Sequence, residues 1–236
     1  RKLTCHIFLT EGMWRNYTKK YGAVEGVVCN NAHYVKDQLD RNLASPFIER
    51  SEKIVIGHLS NLSFEKGFFE VADTFDRLIE KGADVVIHLA GPVTSSAVQD
   101  RLDKLSADYP GRVTYWGSVF GSEKDAFYRE LDLFLFPTNH RNEAAPNVLY
   151  EAFAAGVPVV AKNRGCIADM VWGPRGQVAQ QQDDFSKVAV EFVDKTCFSN
   201  KERSNRSNII MNSLVDEASL GARNYQALLQ DICGDL

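Results

Sequence analysis

The chain has 236 residues, 44% of them hydrophobic and 25% charged, with a formal net charge of −4. That balance describes a globular protein able to bury a core without disulfides or metal, and the acidic excess argues against a nucleic-acid binder. Five scattered cysteines without a CxxC pair, and five histidines without HxxxH or HExxH spacing, give no support to a disulfide framework or a zinc site.

In chain order, "LTCHIFLT", a helix from Glu11 to Lys20, and "EGVVCN" read as one β-α-β unit, and "RNLASPFIERSE" as a linker containing a proline. One such unit cannot form a two-faced core. It is expected to be either the end of a preceding domain absent here or an edge extension of the sheet that follows. The start at Arg1, with no methionine and no signal-like stretch, fits a piece of a longer protein. The boundary is drawn at residues 1–45 and 46–236. No apolar run reaches the about 18 residues of a membrane helix.

From Lys53 onward strands and helices alternate. "KIVIGHL" is a strand. The helix after it places Phe68, Val71, Phe75 and Leu78 on one face, with Ser63 as expected N-cap and Gly82 as its stop. "DVVIHLAG" is a strand, within which His88 is read as a satisfied core histidine, and Ala97 to Ala107 is a helix. "RVTYWG" is a strand and Lys124 to Leu131 a helix, with Ser122 and Asp125 as a rough capping box. "LDLFLFP" has the near-continuous apolar pattern of a strand covered on both faces, and "VPVVA" is one more. "QVAQQQDD" reads as a polar turn, and Lys201 to Leu236 as two polar-faced helices. The alternation predicts an α/β fold, a doubly wound parallel sheet with ligand loops along the strand C-termini.

Two of those loops carry chemistry. In "TNHRNEAAPNVLYEAFAAG", Pro146 suits a first helical turn, leaving the amides of Asn147 and Val148 and the positive helix end facing the loop as an anion site. Glu143 stands just before that end and Glu151 eight positions later, so two carboxylates flank a phosphate site. This suits a ligand with two polyol groups joined by phosphate, such as a nucleotide-sugar; two solvated carboxylates at a helix start is the plainer alternative. In "SNLSFEKG", Lys66 can place a point charge on a diphosphate, and Gly67 allows close backbone approach. Neither GxGxxG nor a P-loop is present.

Together, "SNLSFEKG", "VTYWGSV", "LDLFLFPTNHRNEAAPNVLYEAFAAGVPVVA" and "GCIADMV" resemble the donor-binding, C-terminal domain of the GT-B-fold glycosyltransferases, specifically the group 1 (family 4) retaining enzymes. The likeness covers roughly residues 53 to 195, and "TCHIFLT…VVCNN" looks like the end of the family's N-terminal domain. The resemblance implies catalytic roles for Lys66, on the donor diphosphate, and Glu143, on sugar hydroxyls. It implies backbone contacts from Ala144, Ala145, Pro146, Asn147 and Val148, ribose binding by Glu151, and a base cradle at Gly117, Ser118 and Val119. It further implies retention of anomeric configuration, no cofactor, and no metal. The implied partners are a nucleotide-diphosphate sugar donor, a glycan or lipid-linked acceptor and a missing N-terminal acceptor domain, without nucleic acid. The implied setting is polysaccharide or glycan biosynthesis in the cytoplasm, with peripheral membrane association of the full-length protein as an option.

Two positions depart from the family pattern. Asn61 replaces an arginine five positions before the lysine; either Arg141 or Arg164 supplies the charge instead, or both are ordinary surface arginines. Asp169 replaces a glutamate. A nucleotide-sugar epimerase of the same fold and a non-catalytic nucleotide-sugar-binding module are the alternatives to a transferase.

Overall fold

The computed structural model describes the backbone of residues 5–233 and side chains through residue 230. Leu3 and Thr4 of the first expected strand, the side chain of Cys233, and Gly234 to Leu236 of the expected last helix lie outside the described residues. Cys5, Cys29, Cys166 and Cys197 are free thiols.

The chain begins with β1 (His6–Phe8), α1 (Glu11–Tyr21) and β2 (Gly26–Val28), a parallel two-stranded sheet with its crossover helix. Thr10 caps α1, its side chain accepting from the Met13 amide. A 3-10 turn (Asn31–Val35) then leads into α2 (Lys36–Leu43), a helix not expected from sequence, whose last three residues enter the stretch read as a linker. Gln38 and Asn42 on α2 donate to the carbonyls of Glu151 and Ala154, so polar side chains dock this helix.

The main sheet has six strands: β3 (Ile54–Leu59), β4 (Val85–Ala90), β5 (Val113–Tyr115), β6 (Leu133–Phe136), β7 (Val159–Lys162) and β8 (Gly176–Ala179). All are parallel, in the order β5-β4-β3-β6-β7-β8. The expected doubly wound sheet is therefore present, but separate from the β1–β2 pair. β8 occupies the stretch read from sequence as a polar turn.

The helices between the strands are α3 (Phe68–Glu80), α4 (Ser96–Asp108), α5 (Gly121–Glu130), α6 (Asn147–Ala154), the short α7 (Ile167–Met170) and α8 (Phe185–Lys195). One 34-residue helix, α9 (Asn200–Cys233), stands where two were expected. Two buried clusters sandwich the sheet. One joins α3, α4 and α8 to Ile56, Ile87, Leu133 and Val160, while the other joins α5, α6, α7 and α9 to Phe134, Phe136, Val159 and Ala161. Leu133 to Phe136 are all buried, as a strand covered on both sides requires.

The anticipated stripe of Phe68, Val71, Phe75 and Leu78 is fully buried. Ser63, however, does not cap α3. Gly67 occupies the N-cap in left-handed conformation (φ 81°), and Ser63 Oγ instead accepts from the Lys66 amide, capping the turn before the helix. The Ser122/Asp125 capping box does not form either. Phe120 is the N-cap of α5, without a side-chain cap. His88 is half-buried with Nδ1 3.3 Å from Glu130 Oε2 but outside hydrogen-bond geometry, so the satisfied core histidine is His58 instead.

Candidate functional site

The strand order reverses between β3 and β6, where one crossover chain runs outward through β4 and β5 and the other through β7 and β8. In an open parallel sheet the loops at the C-terminal ends of those two central strands part and leave a crevice. Here β3 and β6 pair only at Ile56–Leu133 and Gly57–Phe134. Beyond that point His58 bridges the strands. Its Nδ1 lies 2.8 Å from the Leu135 carbonyl and its Nε2 2.8 Å from Ser60 Oγ.

The loop after β3 carries Asn61, Ser63, Lys66 and Gly67; the loop after β6 carries Thr138, Asn139, Arg141 and Glu143. The two are laced together. The Asn139 amide donates to the Glu65 carbonyl at 2.7 Å, and a Cβ placed on Gly67 would come within 2.3 Å of the Pro137 carbonyl oxygen. This close approach seats Lys66 Nζ 2.7 Å from Glu143 Oε2, with side-chain exposures of 26% and 12%. The structure thus joins the two residues that the sequence singled out from loops 77 positions apart. Lys66 stands in the turn before α3 rather than in its first helical turn.

Four supporting residues, Thr138, Glu70, Asn139 and Lys162, escaped the sequence reading. Thr138, fully buried, donates to Glu143 Oε2 at 3.2 Å and accepts from the His140 amide. Glu70 of α3 receives Lys162 Nζ at 2.9 Å and Asn139 Nδ2 at 2.8 Å. Burial would raise the Glu70 pKa, but the hydrogen bonds from Asn139 and Lys162 outweigh it and hold the carboxyl below its ordinary range. Lys162 Nζ also contacts Asn139 Oδ1, so β7, α3 and the β6 loop share one polar node.

Pro146 is the N-cap of α6 and Asn147 its first helical residue. The amides of Ala144, Ala145, Asn147 and Val148 have no acceptor among the described residues. Four free donors at the positive end of a helix make a favourable place for an anion. Arg141 is exposed, as is Asn61. Glu151 does not share the Lys66–Glu143 pair. It is held by Lys124 Nζ and by Tyr128 Oη at 3.0 Å. Burial, with the Glu151 charge adding to it, pushes the Tyr128 phenol well above its ordinary pKa, so the phenol remains a donor. Glu151 and Lys124 line a groove of about 700 Å³ with Gly121, Ser122, Tyr34 and Gln38. The Gly117–Val119 segment enters α5 beside it, with Gly117 at φ 66° and its carbonyl accepting from the Gly91 amide.

The segment after β7 closes the other side. Gly165 (φ 51°) presses on the Glu143 and Ala144 carbonyls, and the Cys166 amide donates to Ala144 at 2.7 Å. Asp169 accepts from Thr10 Oγ1 at 2.8 Å, tying this segment to the β1–α1 turn.

Residues 53–194 match the family model for glycosyl transferases group 1. The chain is 30% identical over 169 residues to the capsular polysaccharide biosynthesis glycosyltransferase CapM of Staphylococcus aureus, covering 70% of this chain and 43% of that protein. It is 24% identical over 161 residues to the 2-deoxystreptamine N-acetyl-D-glucosaminyltransferase of Niallia circulans, covering 66% of this chain and 40% of that protein. The chain spans less than half the length of either relative. Among solved structures, Anabaena Alr3699/HepE in complex with UDP and glucose aligns with TM-score 0.67 and 16% identity, over 97% of this chain and 62% of that one. Sucrose-phosphate synthase from Thermosynechococcus elongatus aligns with TM-score 0.66 and 16% identity, over 99% and 60%. At such identities these structures establish the fold alone.

Proposed function

The chain belongs to the group 1 glycosyl transferases, and from that membership we propose that it is the donor-binding part of an enzyme moving a sugar from a nucleoside diphosphate to a glycan, lipid-linked or other acceptor. The observation that carries this reading is the Lys66–Glu143 pair set at the switch-point crevice beside four unpaired amides. Both curated relatives are named as transferases, which favours transfer over epimerisation. The capsular polysaccharide role in CapM's name and the UDP in the HepE complex support a nucleotide-sugar donor and a glycan product.

In this reading residues 46–236 bind the donor, and residues 1–45 close the acceptor side of a longer enzyme, which can act at a membrane surface in the cytoplasm. Without donor, Lys66 and Glu143 neutralise each other. On binding, the Lys66 ammonium exchanges the Glu143 carboxylate for the diphosphate oxygens as its ionic partner, and Glu143 turns to the sugar hydroxyls. The amides from Ala144 to Val148 meet the sugar and phosphate, Pro146 fixing their turn, with Asn61 and Arg141 at the crevice mouth. Glu151 takes the ribose hydroxyls in exchange for Lys124, and Gly117, Ser118 and Val119 cradle the base through their backbone. As the glycosidic bond to phosphate breaks, negative charge grows on the departing diphosphate. Lys66 and the α6 amides are preorganised to stabilise it, with retention at the anomeric carbon. No resident cofactor enters the scheme.

Calorimetric titration of the 236-residue chain with UDP and GDP is the test. One nucleotide should bind, Lys66→Ala should weaken it at least tenfold, and the chain alone should transfer no sugar. Unchanged affinity in Lys66→Ala, or robust transfer by the chain alone, would count against the assignment.

A further inference from the structure

A guanidinium taken partly out of water without a partner is costly, so a fold that keeps one is holding it for something. Among the described residues the other lysines and arginines withdrawn from solvent each have a counterpart. Lys66 faces Glu143, Lys124 faces Glu151, Lys162 faces Glu70, Arg175 faces Glu217, Arg203 faces Asp132, and Arg206 lies over Phe198; the rest pair in the same way. Arg164 is the exception. It is half-buried, its Nε is shielded from solvent with no hydrogen-bond partner, and no carboxylate lies within ion-pair distance of it among the described residues.

Its place in the fold suggests what it waits for. Arg164 leaves the C-terminal end of β7, and the next two residues are clamped onto the β6–α6 loop. A Cβ on Gly165 would stand 2.1 Å from the Glu143 carbonyl oxygen, and the Cys166 amide holds the Ala144 carbonyl. The unpartnered cation therefore flanks the same short loop whose amides are also unpartnered. Meanwhile the Lys66 charge is already matched by Glu143, and one lysine is a poor match for a diphosphate. We propose that Arg164 is a binding residue for the donor diphosphate, the second cation of the site, across the β6–α6 loop from Lys66. The inference rests on the nucleoside-diphosphate reading above and adds a contact to it. A planar guanidinium can grip two phosphate oxygens at once, which an ammonium cannot.

The test uses UDP and inorganic pyrophosphate titrated into wild type, Arg164→Ala, Arg164→Lys, Arg141→Ala and Lys66→Ala. Arg164→Ala should bind both ligands at least tenfold more weakly, with a shallower salt dependence, and Arg164→Lys should recover part of the loss. Its melting temperature without ligand should be unchanged or raised, because removing an unpaired cation relieves a cost, whereas a structural role would lower it. If Arg164→Ala fails to fold, Arg164→Gln carries the same expectation and a folding defect in both overturns the inference. UDP affinity within twofold of wild type in Arg164→Ala, with Lys66→Ala impaired, overturns this inference and leaves the donor-site reading standing. So does a loss confined to Arg141→Ala. Absence of nucleoside-diphosphate binding by wild type overturns both.

Discussion

His58 is fully buried with both ring nitrogens occupied. The Leu135 carbonyl can only accept, so Nδ1 carries the proton and Nε2 accepts from the Ser60 hydroxyl. The neutral ring thus replaces a ladder bond where β3 and β6 part, beneath the loop that bears Asn61 and Lys66. Burial holds its pKa down to about 4, against the opposing pull of the Leu135 hydrogen bond. An unfolded imidazole titrates near 6.5. Between those values the unfolded chain binds a proton that the folded chain does not. The contribution of His58 to stability is therefore complete above the unfolded pKa and falls as pH drops toward 4. Between pH 7.5 and 4.5 wild type should lose about 2 to 3 kcal/mol from this group. Urea unfolding of wild type and His58→Asn, which keeps a donor for Leu135, gives the check. Glu70 and His88 also have lowered pKa values and titrate in both proteins, so the quantity to read is the difference between the two. Parallel pH profiles would refute the assignment.

Between residues and elements, the turn from β3 into α3 shows why backbone conformation decides where Lys66 sits. Gly67 has φ 81°, and a Cβ there would meet the Pro137 carbonyl at 2.3 Å, whereas Gly82 has the same φ with open space around it. Gly82→Ala should therefore cost only the left-handed strain, about 1 kcal/mol. Gly67→Ala adds a backbone collision, should cost about 2 to 4 kcal/mol, and should weaken UDP binding by moving Lys66. Denaturant unfolding of the two variants side by side measures the gap; equal costs would show that the β3 and β6 loops are not in contact. This turn also marks how far the sequence could be read. The central strands were legible because burial on both faces leaves near-continuous apolar runs, and the α3 stripe because one-sided burial leaves a helical period. The helix start was not, because Ser63 caps the turn that precedes it. β8 and α2 were missed for a shared reason: an edge strand keeps polar residues, and α2 brings only two apolar side chains to the core, Leu39 and Leu43 of its eight residues, docking with them through Gln38 and Asn42. At the site, Lys66 and Glu143 were legible from their loops and their likeness to a family. His58 and the Glu70–Asn139–Lys162 node were not, since the fold brings their partners from up to 92 positions away, and Thr138 was not, since nothing in the loop marks which hydroxyl turns to Glu143.

For the molecule as a whole, α9 decides whether the β1–β2 unit and the six-stranded domain hold together. Asn224 of α9 donates to the Val28 carbonyl, Asn30 donates to the Glu217 carbonyl, and Ile210, Leu214 and Ala218 join the core that includes Ala32 and Leu39. At the centre, Arg175 is fully buried, stacked near Phe153 and Trp172, with Nη1 2.8 Å from Glu217 Oε2; Glu217 Oε1 also accepts from Tyr150 Oη. Burial, reinforced by the Glu217 charge, pushes the Tyr150 phenol up, so that group stays neutral and donating. Removing Glu217 would strand a buried guanidinium and a buried phenol at once. Arg175 would keep its bonds to the Ser213 and Met170 carbonyls, which places Glu217→Ala at the lower end of the usual cost, about 3 kcal/mol. The loss should also reach across the joint: amide exchange should quicken in β2 and in the 3-10 turn as well as in α9. Replacing the pair with apolar residues, Arg175→Met with Glu217→Leu, should recover much of the stability, because the expense lies in the unpaired charge rather than in the missing ion pair. A Glu217→Ala variant that melts like wild type and keeps its β2 amides protected would mean that the Arg175–Glu217 pair does not hold the two units together.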